Sequence, residues 1–397
     1  MARVASEKMV TRGDTQTRAP VRYDGKLMTR VNVATPQRSY EVLIEHGLLE
    51  RAGSGLLELL GRPSRLFVIT VAPVRRRWGK KLTASLDRAG FSTTFLEMPQ
   101  GERYKRLSTL ESLAEKLIRF GADRDAVLLA FGGGVIGDVV GFLASVFMRG
   151  IDVVQIPTTV QAQLDAAIGG KTGVNLRTGK NLIGTFHQPR AVLIDLATLS
   201  SLPEREFRAG MYEAVKAGVI GRPDLFAEFE HLEIKKLRKD LPLLERIIAQ
   251  SVELKARVVG ADEREGDLRR VLNFGHTIGH ALEAETKYRH FLHGEAVAWG
   301  MIAASDIARE TGKLDCATAG RIQDTIMRLG PLPNVHVRTR NILKLLQSDK
   351  KTRKGVVHFV LPTDIGRVEV VKDVPEKVIV RAVENLNALS AQRKTRT

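Results

Sequence analysis

The chain has 397 residues with 43% hydrophobic and 27% charged side chains, the composition of a folded globular protein too long for one ordinary core, so two domains are expected. A single cysteine, Cys316, excludes an internal disulfide framework and fits a reducing compartment such as the cytoplasm. The best apolar run, Val135 to Val154, is broken by Asp138, Arg149 and Asp152, which argues against a membrane span. A net charge of +17 raises nucleic-acid binding, but only 5% of residues are aromatic and none interleave with basic runs, so a basic surface with a site for a small anion is the better reading.

Part of the positive charge lies in residues 1–30, where seven basic residues face three acidic ones. This stretch has no apolar core of the signal-peptide type and reads as a disordered basic extension. Structure is expected to begin near Val31, with strands at Val31-Asn-Val-Ala and Tyr40-Glu-Val-Leu-Ile. Buried strands follow at Arg65-Leu-Phe-Val-Ile-Thr, Ala126-Val-Leu-Leu-Ala-Phe, Asp152-Val-Val-Gln-Ile and Ala191-Val-Leu-Ile-Asp, with helical spacing between them, as in Leu107 to Phe120. Such alternation predicts a mostly parallel sheet covered by helices over 31–202. Beyond Pro203 the pattern turns to amphipathic helices at 204–220, 241–259, 277–285, 294–310 and 317–329, with strand signal only at His358-Phe-Val-Leu, so 203–397 reads as a mainly helical domain.

Three stretches carry chemistry. Phe131-Gly-Gly-Gly-Val-Ile-Gly-Asp138 follows a predicted strand and opens a predicted helix, and it satisfies Gly-x-Gly-x-x-Gly at Gly132, Gly134 and Gly137. Glycines admit a pyrophosphate to the backbone and a helix N-terminus offers it N–H groups, although a tight strand–helix turn would look the same. The acid such a fingerprint seeks about twenty residues on would be Asp152, but it starts a strand instead of ending one. Asn273-Phe-Gly-His-Thr-Ile-Gly-His280 sets His276 and His280 one helical turn apart, with His293-Gly-Glu295 further on and Glu213 and Lys216 together on an upstream helix. Three of the nine histidines within eighteen residues favour a metal over scattered surface histidines, while spacing leaves open which carboxylate joins and whether His280 is a ligand. Asp165-Ala-Ala-Ile-Gly-Gly-Lys-Thr-Gly-Val-Asn175 and Thr178-Gly-Lys-Asn-Leu-Ile-Gly184 bring Lys171, Lys180 and Asn181 into glycine-rich surroundings suited to anions. The first lacks the leading glycine of a P-loop.

These stretches, together with Gly101-Glu-Arg-Tyr-Lys105, Pro157-Thr-Thr159, Leu202-Pro-Glu-Arg-Glu206, Asp262-Glu-Arg-Glu265 and Asp349-Lys-Lys351, resemble the 3-dehydroquinate synthase family from about Tyr40 to about Asn387. The resemblance implies a Rossmann-like α/β domain followed by a mainly α-helical one, with zinc or cobalt on Glu213, His276 and His293 and acid–base work at His280. It implies NAD contacts from Glu102, Lys105, Gly133, Gly134, Asp138, Thr158, Thr159, Lys171, Lys180 and the turn from Thr198 to Ser201. The substrate it implies, 3-deoxy-D-arabino-heptulosonate 7-phosphate, would meet Arg149, Asp165, Lys171, Asn181, Lys216, Lys255, Arg269, Asn273 and Lys350, with Glu265 a proton acceptor. The implied reaction oxidises one hydroxyl transiently with NAD, eliminates phosphate, returns the hydride and closes a carbocycle by an intramolecular aldol step. A homodimer is also implied. Asn273, His280 and Lys350 keep the pattern of this family over that of cyclases acting on other sugar phosphates, and Lys216, Lys255 and Lys350 argue against a polyol dehydrogenase of the same fold. Departures are Val71 in place of the acid or amide often found at that strand end, Ala209 where some members carry asparagine, and Asp165-Ala-Ala in place of Asp-Ser-Ser.

Overall fold

The structure, a computed structural model, describes residues 21–23, 26–348 and 357–394, so the expected contact Lys350 and most of the basic extension lie outside the described residues. The chain folds into two compact units. One comprises the described residues from Val21 up to Pro203 together with Asp240–Arg264, and the other Glu204–Lys239 and the described residues from Glu265 onward.

The first unit is built on one sheet of β1 (Val21–Tyr23), β2 (Lys26–Ala34), β3 (Ser39–Glu45), β4 (Leu66–Thr70), β5 (Thr93–Glu97), β6 (Val127–Gly132), β7 (Asp152–Pro157) and β10 (Ala191–Asp195). Its order is β1-β2-β3-β10-β7-β6-β4-β5, antiparallel at β1–β2–β3 and parallel from β3 to β5. β2 begins at Lys26, earlier than the expected start near Val31, because Lys26–Met28 pair with β1, Thr29 onward pairs with β3, and Met28 is buried. The parallel strands are apolar on both faces. Phe67, Ile69, Leu128 and Ala130 enter one core and Leu66, Val68, Leu129 and Phe131 the other, the two-residue period dividing each strand between them. Covering helices include α1 (Ala52–Leu60), α2 (Lys80–Arg88), α3 (Leu107–Arg119) and α4 (Gly134–Val146).

Two features of this unit differ from the reading of the sequence. The glycine- and lysine-rich stretches, which carry no strand signal, form a hairpin of β8 (Lys171–Leu176) and β9 (Gly179–Phe186). Its strands approach so closely that a Cβ on Gly184 would lie 1.9 Å from the Thr172 carbonyl oxygen. The helix Leu241–Ala261 follows the expected boundary in sequence yet groups with the sheet. Glu245 accepts a hydrogen bond from Thr29 (2.6 Å), Gly260 packs on the Ala34 carbonyl, and Glu263 accepts from Thr35 and Gln188 (3.0 and 2.8 Å).

The second unit is mainly helical: α5 (Glu204–Gly221), α6 (Pro223–His231), α7 (His276–Glu285), α8 (His293–Glu310), α9 (Cys316–Arg328), α10 (Thr339–Ser348) and α11 (Glu376–Lys394), with a hairpin of β11 (His358–Asp364) and β12 (Arg367–Lys372). α5 and α8 are buried nearly all round, which marks them as its central helices. Bare glycine backbone sets their spacing. A Cβ on Gly300 of α8 would lie 1.8 Å from the Gly275 oxygen before α7, and one on Gly294 would lie 1.8 Å from the Ala209 oxygen of α5. Gly279 of α7 packs on the Ala296 carbonyl of α8 in the same manner. Among the described residues no helix is long and apolar enough to cross a membrane.

Gly300→Ala should therefore destabilise the protein by about 3 kcal/mol or more, since the added methyl meets backbone that cannot turn aside. Gly320→Ala on α9, where nothing lies within 4 Å of the new methyl, should leave stability unchanged or raise it by up to about 1 kcal/mol. Denaturant unfolding of both variants checks the contrast, and equal stabilities would refute the packing argument.

Candidate active site

In the first unit the strand order reverses between β4 and β6: β5 lies outside β4, while β7 and β10 lie beyond β6. Ligands of open α/β sheets bind beyond the carboxyl ends of the strands at such a reversal. The glycine turn sits at that end of β6, with Gly133 as N-cap and Gly134 as the first residue of α4. Its glycines have distinct uses. A Cβ on Gly132 would strike Ile136 at 2.6 Å and one on Gly137 would strike Gln155 at 2.8 Å, so these two let the turn tighten and α4 lie on β7. A Cβ on Gly133 would lie 3.1 Å from Thr159 and one on Gly134 3.3 Å from Ala166, the second close approach favouring a small residue after Asp165. Thr158 donates its N–H to the Gly132 carbonyl (2.9 Å), which brings the Pro157-Thr-Thr159 stretch beside the turn.

A polar network joins several predicted residues of this unit. The buried Lys105 ammonium bonds Asp138 and donates to Asn181 Oδ1 (2.5 Å). Asn175, which the sequence did not single out, donates to Glu102 Oε1 (2.8 Å) and accepts from the Asn181 N–H (2.9 Å). Burial pushes the Asp138 carboxyl above its ordinary range, with Lys105 pulling the other way. Lys255, on the returning helix, bonds both the carboxylate and the carbonyl of Asp165. Lys171 starts β8, exposed, and Lys180 lies on β9. The Thr198 and Ser201 hydroxyls bond within their own turn, to the Asp195 and Thr198 carbonyls (2.6 and 2.8 Å). Asp152 pairs with Arg38 (2.8 Å) and Arg190 (3.5 Å), so its carboxylate is committed to the fold at the start of β7. Val71 is buried in the core at the end of β4.

The second unit brings together what spacing left open. The candidate ligand atoms of His276, His280 and His293 lie within 4.8 Å of one another. His276 Nδ1 sits 3.1 Å from the Phe274 carbonyl and His293 Nδ1 3.0 Å from Glu283 Oε2, so in the neutral ring each Nδ1 carries the hydrogen and each Nε2 keeps a lone pair. His293 Nε2 is 3.6 Å from Glu213 Oε1. Glu213 is 3% exposed and neither oxygen accepts a hydrogen bond in proper geometry, although the Lys216 ammonium stands 2.5 Å from Oε2 as an ion pair. A buried carboxylate with idle lone pairs beside imidazole nitrogens is the donor set a zinc-type ion takes. The start of α8, and with it His293, is fixed by buried Glu295, which Arg205 grips with two bonds (2.7 and 2.8 Å) while the Leu292 N–H donates to it (2.8 Å). Arg269 is 2% exposed, and Asn273 donates to Glu265 (3.2 Å).

Backbone strain marks some of the same residues. Arg149, Asn181 and Glu265 all hold positive φ (70°, 53° and 58°), a conformation costly for residues other than glycine and concentrated at functional sites.

The glycine turn and the histidine–carboxylate set define a class of proteins equipped for a dinucleotide and a divalent metal. Profiles of the 3-dehydroquinate synthase N-terminal and C-terminal regions match residues 95–209 and 210–352. The 3-dehydroquinate synthase of Koribacter versatilis (strain Ellin345) is 53% identical over 363 residues, 91% of this chain and 99% of the relative. That of Solibacter usitatus (strain Ellin6076) is 49% identical, covering 89% and 98%. The chain belongs to the 3-dehydroquinate synthase family. Among solved structures, 2-epi-5-epi-valiolone synthase from Streptomyces hygroscopicus subsp. jinggangensis 5008, with NAD+ and Zn2+ bound, superposes with a TM-score of 0.81 at 33% identity, covering 91% of this chain and 99% of that one. A 2-deoxy-scyllo-inosose synthase complexed with carbaglucose-6-phosphate, NAD+ and Co2+ does so at 0.79 and 26%, covering 90% and 100%. A probable glycerol dehydrogenase from Sinorhizobium meliloti 1021, at 0.63 and 17% over 87% and 96%, shares the fold alone.

Burial opposes the charged form of His293, but the bond and charge of Glu283, with Glu213 behind it, outweigh that and hold its pKa above the ordinary 6.5. In the metal-free protein this pairing should stabilise fully below pH 6.5 and fade as pH rises through the shifted value. An NMR titration of the His293 ring should show the raised midpoint, and a midpoint below the ordinary value would contradict the geometry.

Proposed function

We infer that this chain converts 3-deoxy-D-arabino-heptulosonate 7-phosphate to 3-dehydroquinate and phosphate, as a carbon–oxygen lyase that uses NAD and one zinc or cobalt ion without net redox change. The observation that carries this is the 53% identity across 91% of the chain to a 3-dehydroquinate synthase. When bound, the metal ion supplies Lewis acidity at a substrate hydroxyl and NAD a reversible hydride acceptor.

The chain's own residues have the remaining tasks. Glu213, His276 and His293 hold the ion, the two imidazoles through Nε2. His280, third in the histidine cluster, takes and returns a proton. Gly133 and Gly134 at the start of α4 admit the pyrophosphate to open N–H groups, with Glu102, Lys105, Asp138, Thr158, Thr159, Lys171, Lys180 and the turn from Thr198 to Ser201 around the dinucleotide. Arg149, Lys171, Asn181, Lys216, Lys255, Arg269, Asn273 and Lys350 hold the substrate's carboxylate, hydroxyls and phosphate, and Asp165 fixes Lys255. Glu265, steadied by Asn273 in a strained turn, accepts a proton. A small anionic substrate gives the basic surface a use that needs no nucleic acid.

Purified protein given NAD, zinc and the heptulosonate phosphate should release phosphate with no net NADH. Stoichiometric NADH would point to a dehydrogenase, and turnover only with sedoheptulose 7-phosphate or glucose 6-phosphate to another cyclase. Either result overturns the proposal. His276→Ala should abolish both metal binding and turnover while the unfolding transition persists, and retained stoichiometric metal would refute the ligand assignment.

A further inference from the structure

We propose that Glu283 is a positioning residue for the metal centre, holding His293 in the tautomer and orientation that turn Nε2 toward the ion. The proposal rests on the reading of Glu213, His276 and His293 as the ligand set and adds a fourth side chain that acts through one of them.

α7 begins at His276, so His280 and Glu283 follow one and two turns later on the same face. Glu283 is 5% exposed, and its Oε2 lies 3.0 Å from His293 Nδ1. A neutral imidazole carries one hydrogen, and a carboxylate can only accept, so the hydrogen sits on Nδ1. The lone pair is thereby confined to Nε2, the nitrogen 3.6 Å from Glu213 Oε1. Metal-ligating histidines that pass their second N–H to a carboxylate become better donors and stop rotating, and loss of that partner weakens metal binding.

The position of Glu283 is itself well determined. Its carbonyl accepts the Tyr288 N–H (2.7 Å) as α7 ends, closed by Lys287 and Tyr288 at φ 53° and 57°. Two residues in the left-handed region bend the chain back at once, and a few residues further on α8 opens with His293. This strained turn keeps the carboxylate and the ring in register. His276 receives the same service from the Phe274 carbonyl, a backbone group that no side-chain substitution removes. The two ligands therefore differ at Nδ1 in a way that can be measured: the group that His293 Nδ1 meets is a replaceable side chain.

The test compares the full-length parent with Glu283→Gln and Glu283→Ala. Zinc affinity is read by competition with a chromophoric chelator, the cobalt(II) complex by its visible spectrum, and the metal-free proteins by thermal unfolding. Glutamine keeps an acceptor oxygen without the charge and should weaken zinc binding about 10-fold, whereas alanine removes the acceptor and should weaken it about 100-fold. The cobalt bands of Glu283→Ala should shift, and metal-free Glu283→Gln should unfold at the parent temperature at alkaline pH, where the charge pairing of His293 with Glu283 has faded. Parent-like zinc affinity in both variants overturns the proposal while leaving the ligand set standing. Weakened binding that merely tracks a lower metal-free melting temperature in Glu283→Gln at that pH also overturns it, since the role would then be structural. Should Glu283→Ala not fold, Glu283→Gln alone decides. A parent that binds neither zinc nor cobalt overturns the ligand set, and this inference with it.

Discussion

The helical unit depends on backbone touching backbone. Where α8 crosses the start of α7 and the body of α5, the touching surfaces are the bare backbone of Gly300 and Gly294 against the carbonyls of Gly275 and Ala209. Helix axes ordinarily stand apart by the thickness of their side chains, and removing those side chains draws the axes together. Glu213, His276, His280 and His293 come from these three helices. Their side chains converge because the helices that carry them were allowed to approach. Ala209 lies at one of these approaches: its carbonyl meets Gly294, and its side chain is buried.

A second constraint is electrostatic. Each unit buries charge, and in each the burial is compensated locally. Asp138 has Lys105, Asp165 has Lys255, Glu213 has Lys216 and Glu295 has Arg205. Such pairs contribute little net stability, since desolvation offsets much of the Coulomb attraction. What they provide is position. Lys105 faces both Asp138 of α4 and Asn181 of the hairpin, so one ammonium ties the glycine turn to the glycine-rich strands beside it. Asn175 does the same for Glu102 and Asn181.

Much of this was legible in the sequence, for identifiable reasons. β4, β6, β7 and β10 are short β-branched runs apolar on both faces, and α5 and α8 open just past Pro203 and Leu292, so periodicity located them. The hairpin β8–β9 was not legible, because its strands are held by hydroxyls and close glycine pairs and not by an alternating apolar face. The helix Leu241–Ala261 was found as a helix, but amphipathicity reports that a face is covered and says nothing of the covering partner. Asp152 lay at the right distance from the glycine turn to attract notice, and only its arginine partners show how it is used. Glu283 and Asn175 went unremarked because their partners lie across a turn or a hairpin, although the spacing of Glu283 from His276 along one helix face was a usable signal.

The return of Leu241–Ala261 to the sheet makes the first unit discontinuous along the chain. A ribosome that has released residues up to Pro203 has delivered β1 to β10 but not the helix that covers Ala34 and supplies Lys255. Synthesis must run on through Arg264 before the sheet can be completed, and by then the first segment of the helical unit has also emerged. The two units are thus interleaved in time as well as in sequence. A cut placed at the visible change of pattern near residue 202 would leave the first fragment without the helix that completes its sheet, and the second carrying that helix with no sheet to cover.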